Sequence, residues 1–395
     1  MNLQSIFRLA CTFIGIVLLP LFAGANEPNG SFKSKIVTVL RPIIKKQSKW
    51  AMKQKPLTVT AYPAVRSSGG IHDFYSEGDY WWPDPMDAGA PYVQRDGMSN
   101  PANFVAHRKA MIRFSQIIGA LASAYRLNPD KKYVQQALVH LHAWFVDSET
   151  MMNPNLLYAQ AVQGRFTGRG IGIIDTIHLM EVAQGVKVLE NDPNFPQSTK
   201  EAIHRWFATY LRWLTEHQYG KDEMNAANNH GTCWVMQVAS FASLVQDTAL
   251  LKMCAERYQQ ILLPSQMEKD GSFPRELQRT KPFGYSLFNL DAMTMICHIL
   301  STTNEPLWQY TLPDGRTIKK GLDFMIPYIS DKNKWPYQKD VMYWEQWPIA
   351  QPALIFAATA YQDSSYLKLW AELDHNPKEE EVIRNLPIRN PLIWL

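Results

Sequence analysis

Residues 103–145 read NFVAHRKAMIRFSQIIGALASAYRLNPDKKYVQQALVHLHAWF. Phe104, Met111, Phe114, Ile118, Leu121 and Tyr125 recur at helical spacing, and after a short polar break so do Val134, Leu138, Leu141 and Phe145. Two apolar stripes with a 3.6-residue period, so close together, predict a pair of antiparallel helices packed through those stripes. The pattern continues downstream. A third helix fits Ile173 to Leu189, and Ser198-Thr199-Lys200-Glu201 reads as a capping box opening a fourth through Trp206, Tyr210 and Trp213. Further helical stretches fit 231–246, 249–262, 285–301, 317–329, 349–361 and 365–373. Strand-like alternation is scarce; a possible extended segment runs from Leu57 to Ala61.

Many helical hairpins without a strict sequence repeat predict an all-α architecture. The expected form is an α/α toroid, an incomplete helical barrel, rather than an open repeat array. Long loops at 62–102, 149–172, 264–284 and 331–348, rich in Pro, Gly, Trp, Tyr and charge, would wall a cleft on one face.

Composition bounds the partners. The chain has 395 residues, 46% of them hydrophobic, enough to bury a sizeable core. A net charge of only +4 gives no electrostatic case for nucleic acid. At 12%, the aromatics suit a helical core or a cleft that stacks sugar rings. Arg8 precedes an apolar run, Leu9 to Ala23, that ends in Ala23-Gly24-Ala25, a small-x-small cleavage pattern. The run is shorter than the roughly 20 residues of a membrane span. Residues 1–25 are therefore expected to be a signal peptide, with an uncleaved anchor as the alternative. The mature chain, 26–395, is expected to be one exported domain, periplasmic or secreted, with no membrane attachment. Cys233, Cys254 and Cys297 remain after cleavage, an odd count in apolar helical contexts that reads as buried thiols. Cys11 stands at the wrong end of the apolar stretch for lipid attachment.

Two segments carry candidate chemistry. Asn228-Asn229-His230-Gly231-Thr232-Cys233-Trp234 opens an apolar helix. One Asn there is explained by capping. Two amides and a His at a helix N-terminus would also suit the grip of a carboxylate. The second segment is Asp270-Gly271-Ser272-Phe273-Pro274-Arg275-Glu276, leading to Arg279 and then Phe283-Gly284-Tyr285. Taken alone, it fits a solvated turn followed by a core tyrosine.

Together these segments resemble the alginate lyases, the mannuronate-cleaving enzymes of polysaccharide lyase family five and relatives such as family thirty-eight. The similarity extends to Gly78-Asp79-Tyr80-Trp81-Trp82-Pro83-Asp84-Pro85, to Asn100-Pro101 with His107-Arg108, and to Gly168-Arg169-Gly170-Ile171-Gly172-Ile173-Ile174-Asp175, spanning roughly residues 70 to 300. The Arg279-to-Tyr285 spacing is one residue shorter than in family five, which implies a sister family. The resemblance implies a helical toroid and a lyase that removes H5 of a uronate and expels the O4-linked sugar. Asn229, His230 and Arg279 would neutralise the carboxylate, since the C5 proton is barely acidic while that charge stands. Tyr285 would serve as base and then acid, its pKa lowered by Arg279. In β-linked mannuronate or glucuronate H5 and O4 share a side, so one tyrosine suffices; guluronate needs groups on both faces. Tyr80, Trp81, Trp82, Arg169 and Asn228 are the candidate substrate contacts, with Arg169 equally open to a structural salt bridge. Trp344-Glu345-Gln346-Trp347 is a further aromatic candidate.

Other chemistries find less support. His140 and His142 are two apart and face different sides of a helix. No His-Glu-x-x-His or zinc-type cysteine pair is present. Gly168, Gly170 and Gly172 do not match a dinucleotide fingerprint and are expected to allow a tight loop over the cleft. No metal or cofactor is expected; the partner is an anionic polysaccharide. The rival enzyme is a glycoside hydrolase with a carboxylate pair drawn from Asp79, Asp84, Glu276 and Glu345. The non-enzymatic rival is a polysaccharide-binding protein.

Overall fold

The computed structural model describes residues 29–395; the expected signal peptide, 1–25, and Cys11 lie outside the described residues. The first helix, α1 (Asn29–Ala51), was not foreseen. Its Phe32, Ile36, Leu40 and Ile44 recur every fourth position and are all buried, a stripe seated on the next helix. The hairpin predicted over 103–145 is present as α2 (Ala106–Leu127) and α3 (Lys131–Phe145), with Asp130 accepting from Lys132 N–H to cap the second helix.

Eight helices follow: α4 (Leu179–Leu189), α5 (Gln197–Glu216), α6 (Gln218–Met224), α7 (Asn229–Val245), α8 (Thr248–Arg257), the short α9 (Leu263–Gln266) and α10 (Pro274–Leu277), and α11 (Pro282–Leu300). The chain then forms α12 (Ile318–Ser330), α13 (Pro352–Tyr361), α14 (Ser364–Glu372) and α15 (Glu380–Arg384). Helices α2, α4, α7, α11 and α13 pack one on the next as an inner layer. Helix α11 is buried on every face from Pro282 to Cys297, and α13 from Pro352 to Ala358. A helix apolar all round must sit between neighbours. Outer helices α1, α3, α5, α8, α12 and α14 cover this layer, each burying one face. The result is an incomplete helical toroid, and Cys233, Cys254 and Cys297 lie buried in it as free thiols.

Three local expectations are corrected. Ile173–Leu189 is not one helix: Gly170–Thr176 winds as a 3-10 stretch before α4 begins. A Cβ on Gly172 would lie 2.5 Å from that of Ala159, so this stretch presses against the neighbouring loop, as a tight loop requires. The capping box at Ser198 is not used. Helix α5 starts at Gln197 after Pro196, and the Thr199 hydroxyl bonds His142 Nε2 at 2.8 Å instead. Leu57–Ala61 is not extended; Val59–Ala61 forms a 3-10 turn capped by Thr58. Among the described residues no helix is long and apolar enough to cross a membrane.

The loops hold what little sheet there is. Strand β1 (Tyr75–Glu77) pairs in parallel with β4 (Tyr158–Ala161), and β2 (Trp81–Trp82) pairs antiparallel with β3 (Val93–Gln94). These pairings stitch the loops 62–102 and 149–172 into a wall beside the N-termini of α7 and α11.

Candidate active site

A cleft of about 610 Å³ gathers Tyr80, Trp81, Arg169, Asn229, His230, Arg279 and Tyr285, drawn from four separate stretches of chain. Asn228 and Trp82 are not among its lining residues. Asn228 caps α7, accepting from His230 N–H, which is its bland role. Trp82 donates its indole N–H to Met98 O at 2.9 Å and lies under Arg95. Trp344 and Trp347 likewise lie outside, where their carbonyls receive Lys332 Nζ.

At the start of α7 the expected anion grip has an unexpected occupant. Both oxygens of buried Glu276 accept from Asn229, one from its backbone N–H and one from Nδ2, each at 2.7 Å. The favourable end of the helix dipole is thus filled by the protein's own carboxylate. Burial pushes the Glu276 pKa up, while the two Asn229 bonds oppose that shift. The amide of Asn229 is held rigid, with its second N–H left over. Next to it, His230 Nδ1 lies 2.7 Å from Oε1 of buried Glu223. A carboxylate can only accept, so Nδ1 carries a proton, and in the neutral ring Nε2 is the bare nitrogen left for the cleft.

Opposite stands Tyr285, 8% exposed, whose hydroxyl donates to Tyr80 at 2.9 Å. Tyr80 in turn donates to Glu381 at 3.1 Å. Arg279 Nη2 is 3.5 Å from the Tyr285 oxygen, and Lys281 Nζ is 5.5 Å from its ring centroid. The expected lowering of the Tyr285 pKa is overturned. Both cations do pull it down, but burial and the Tyr80 neighbour outweigh them and hold it well above 10. The phenol is neutral in the free cleft. Arg279 is itself anchored by Asp96, Nη2 to Oδ1 at 2.7 Å.

Arg169 differs from the other cations. Its Nε donates to Gln160 O at 2.8 Å and its guanidinium lies 5.5 Å from the Trp81 ring centroid, yet among the described residues no carboxylate comes within ion-pair distance. Burial brings its pKa down to about 10. The alternative of a structural salt bridge finds no partner for it among the described residues. Gln160, which holds it, has φ 47, a left-handed backbone rare for a side-chain-bearing residue and concentrated at functional sites. A Cβ on Gly78 would fall 2.8 Å from Arg169 Nη2 and 2.7 Å from Trp81 Cδ1, so that glycine makes room for the stacked pair.

Sequence reading missed the supports. Glu223, Asp96, Lys281, Glu381 and Arg384 have no local signal, because each meets its partner only through the fold. Lys281 bonds Glu381 at 2.6 Å, and Arg384 bridges Glu381 and Asp79, which Arg108 also binds. This buried lattice fixes Tyr80 from behind. It also disposes of the carboxylate pair proposed for hydrolysis. Asp79 is locked between two arginines, Glu276 is consumed by Asn229, Asp84 caps Met86 N–H, and Glu345 faces solvent beside Lys332. His140 and His142 turn to different partners, Gln136 and Thr199. Among the described residues no group of three or more His, Cys, Asp or Glu is arranged to hold a metal ion.

The sequence family described as alginate lyase matches residues 58–335, well over half of the chain. This chain belongs to the alginate lyase family. The crystal structure of an alginate lyase from Bacteroides ovatus is similar at 30% identity and TM-score 0.79, over 94% of this chain and 98% of that one. Alginate lyase A1-III, as a histidine-to-alanine variant complexed with a tetrasaccharide, is 15% identical with TM-score 0.53, covering 84% of this chain and 89% of its own. The apo form of that variant gives 14% and 0.53 over 85% and 95%. At those identities the likeness to A1-III speaks for the fold alone. Among curated proteins none is similar enough to match. The chain is a polysaccharide lyase, and the hydrolase and non-catalytic binding readings give way.

Proposed function

We propose that this lyase cleaves a β-1,4-linked uronic-acid polymer, polymannuronate in alginate or glucuronan, by β-elimination. The observation that carries the reading is the convergence on one cleft of a half-buried arginine with no ion pair among the described residues, a rigid Asn229–His230 pair and a neutral buried phenol. Arg169 supplies the forked cation for a uronate carboxylate. Asn229 and Arg279, with His230, neutralise the carboxylate beside the C5–H that is lost. Trp81 stacks a sugar ring.

Tyr285 transfers the protons. As acid it is ready, since burial keeps its phenol protonated. As base it must act ionised, having first released its own proton to solvent at the open cleft, and Arg279 and Lys281 are the charges that favour that form. On mannuronate, where H5 and O4 share a side, Tyr285 serves in both steps. A second reading is favoured by the His230–Glu223 pair. The bare Nε2 could take H5 from the opposite face while Tyr285 protonates O4, which is the geometry guluronate demands. Under the same proposal residues 1–25 export the enzyme, and the mature domain, 26–395, meets its polymer in the periplasm or outside the cell.

The test is to incubate the mature protein with polymannuronate, polyguluronate and glucuronan and follow ultraviolet absorbance of the unsaturated product. Tyr285→Phe should lower turnover by roughly a thousandfold, within the range for a lost general acid–base group, while substrate still binds. Chain shortening without the chromophore, or near-normal turnover in Tyr285→Phe, would defeat the reading. Loss of polyguluronate cleavage alone in His230→Ala would assign the base on that polymer.

A further inference from the structure

Helix α1 and the segment after it are charged in one sense only. Between Asn29 and His72 stand nine Lys or Arg residues and no Asp or Glu. Six of the nine are on α1, where Lys33, Arg41, Lys45, Lys46 and Lys49 are exposed and make no ion pair among the described residues. The chain as a whole is near balance at +4, so this face stands out against an otherwise acidic remainder. Such a field attracts polyanions and is weakened by salt.

The C-terminal end of α1 also walls a cavity of about 1020 Å³, closed on its other side by Asn376, Lys378 and Arg389. Lys46, Lys378 and Arg389 line it with no acidic residue among its walls. Arg389 is half-buried, and burial lowers its pKa. Its guanidinium has one long contact, 3.4 Å to the uncharged Asn376 Oδ1, and no ion pair. The nearest acids are otherwise engaged. Glu181 receives backbone N–H groups of Arg389 and Asn390, and Asp374 receives that of Asn376. Trp50, 38% exposed, stands at the rim, and Gln47 Oε1 is buried without a partner.

We propose that this cavity is a second binding site for the uronate polymer, separate from the catalytic cleft, with the cationic face of α1 as its approach. The proposal rests on the reading of the substrate as a polyuronate. Every sugar of such a polymer carries one carboxylate, so a site with three cations around one aromatic meets it in any register. Arg389 offers the planar fork for one carboxylate, Lys46 and Lys378 serve its neighbours, and Trp50 takes a pyranose face. The site is not remote from the chemistry. A groove of about 1380 Å³ of mixed charge, where Lys109 pairs with Glu380 at 2.9 Å, shares Gln116 with this cavity and Asp79 and Arg384 with the wall of the cleft. Charge alone would also suit a nucleic acid or an anionic bilayer. A recessed pocket with a half-buried arginine suits a ring-borne carboxylate better than a stiff duplex or a flat surface.

The experiment compares the full mature protein with Lys46→Gln/Lys378→Gln and with Trp50→Ala, substitutions at exposed positions. Steady-state kinetics are measured on long polymannuronate and on its tetrasaccharide, at low and high salt. The double variant should raise KM for the polymer about fivefold to tenfold, the range for two lost exposed charge contacts, with kcat unchanged and the effect shrinking at high salt. KM for the tetrasaccharide should stay within about twofold of wild type. In a Tyr285→Phe background, gel retardation by polymannuronate should weaken in parallel. Unchanged polymer KM, or an equal rise for the tetrasaccharide, overturns the second site. So does retention of duplex DNA or phosphatidylglycerol vesicles by this face without retention of polymannuronate. Absence of unsaturated product from the wild type overturns the substrate reading instead, which keeps the two failures apart.

Discussion

Replacing Arg169 by Met should make the free enzyme no less stable while crippling it. Burial brings the guanidinium pKa down to about 10, and the charges of Asp175, Asp79 and Glu223 offset only part of that shift. Below about pH 10 the folded and unfolded chains both carry this proton, so the penalty is complete at neutral pH; the stability it removes returns only as pH rises above about 10. At about 1.4 kcal/mol per unit the cost is about 3 kcal/mol, reduced to about 2 by the solvent that reaches a half-buried group. Against that, the variant loses the Nε–H bond to Gln160 O, about 1 kcal/mol, and the contact with Trp81, about 0.5–1 kcal/mol. The balance leaves the variant between equal and about 0.5 kcal/mol more stable. In the complex the wild-type guanidinium meets a carboxylate, and truncating one partner of such a buried pair costs about 2–5 kcal/mol. That is roughly a 30-fold to few-thousandfold fall in kcat/KM. Thermal melting and initial rates on polymannuronate measure the two sides. Arg169→Lys, which keeps charge but not the fork, should fall between. A variant that melts several degrees lower yet turns over at wild-type efficiency would mean that Arg169 only supports the loop.

Three further outcomes follow from the same geometry. Gly78→Ala should fold normally but lose about tenfold in kcat/KM, because its Cβ must displace Arg169 or Trp81; crystallography would show the shift, and unaltered kinetics would contradict it. Glu276→Gln puts an NH2 donor where one of the two accepting oxygens stands, so one Asn229 bond is lost and kcat/KM should drop about tenfold to a hundredfold, the worth of a lost charge-assisted bond, whereas activity within twofold would show that Asn229 needs no support. Asp291, buried in α11 and accepting Ala353 N–H, has its pKa raised to about 8. Its folded form keeps a proton that the unfolded chain releases above 3.8, so its contribution is full in acid and lost as pH rises through about 8. Asp291→Asn should flatten that decline and be about 1–3 kcal/mol more stable than wild type at pH 8, as read by denaturant titration at several pH values; an unchanged pH profile would refute it.

The sequence by itself determined the helices and the chemistry-bearing positions at their ends. Apolar periodicity fixed α2, α3 and α7, since a 3.6-residue stripe has no other way to be buried. Asn229-His230 and Arg279…Tyr285 were legible because each pair is local, two or seven residues of one segment. The stripe of α1 was equally legible in Phe32, Ile36, Leu40 and Ile44, and was passed over. Only the tertiary structure decided what those groups do. Burial is a property of the assembled cleft, so the sequence could state that Arg279 favours a phenolate but not that desolvation outweighs it at Tyr285. Asn229 and Asn228 are the same residue type side by side, yet one points to Glu276 and the other caps a helix. Arg169 was open to a substrate carboxylate or a structural salt bridge alike, and only the fold leaves it without an ion pair among the described residues. Partners such as Glu223, Asp96 and Glu381 stand 7, 183 and 301 residues from the side chains they hold. Chain separation of that order leaves no periodicity to read; it is the packing of the helices that makes such pairs neighbours.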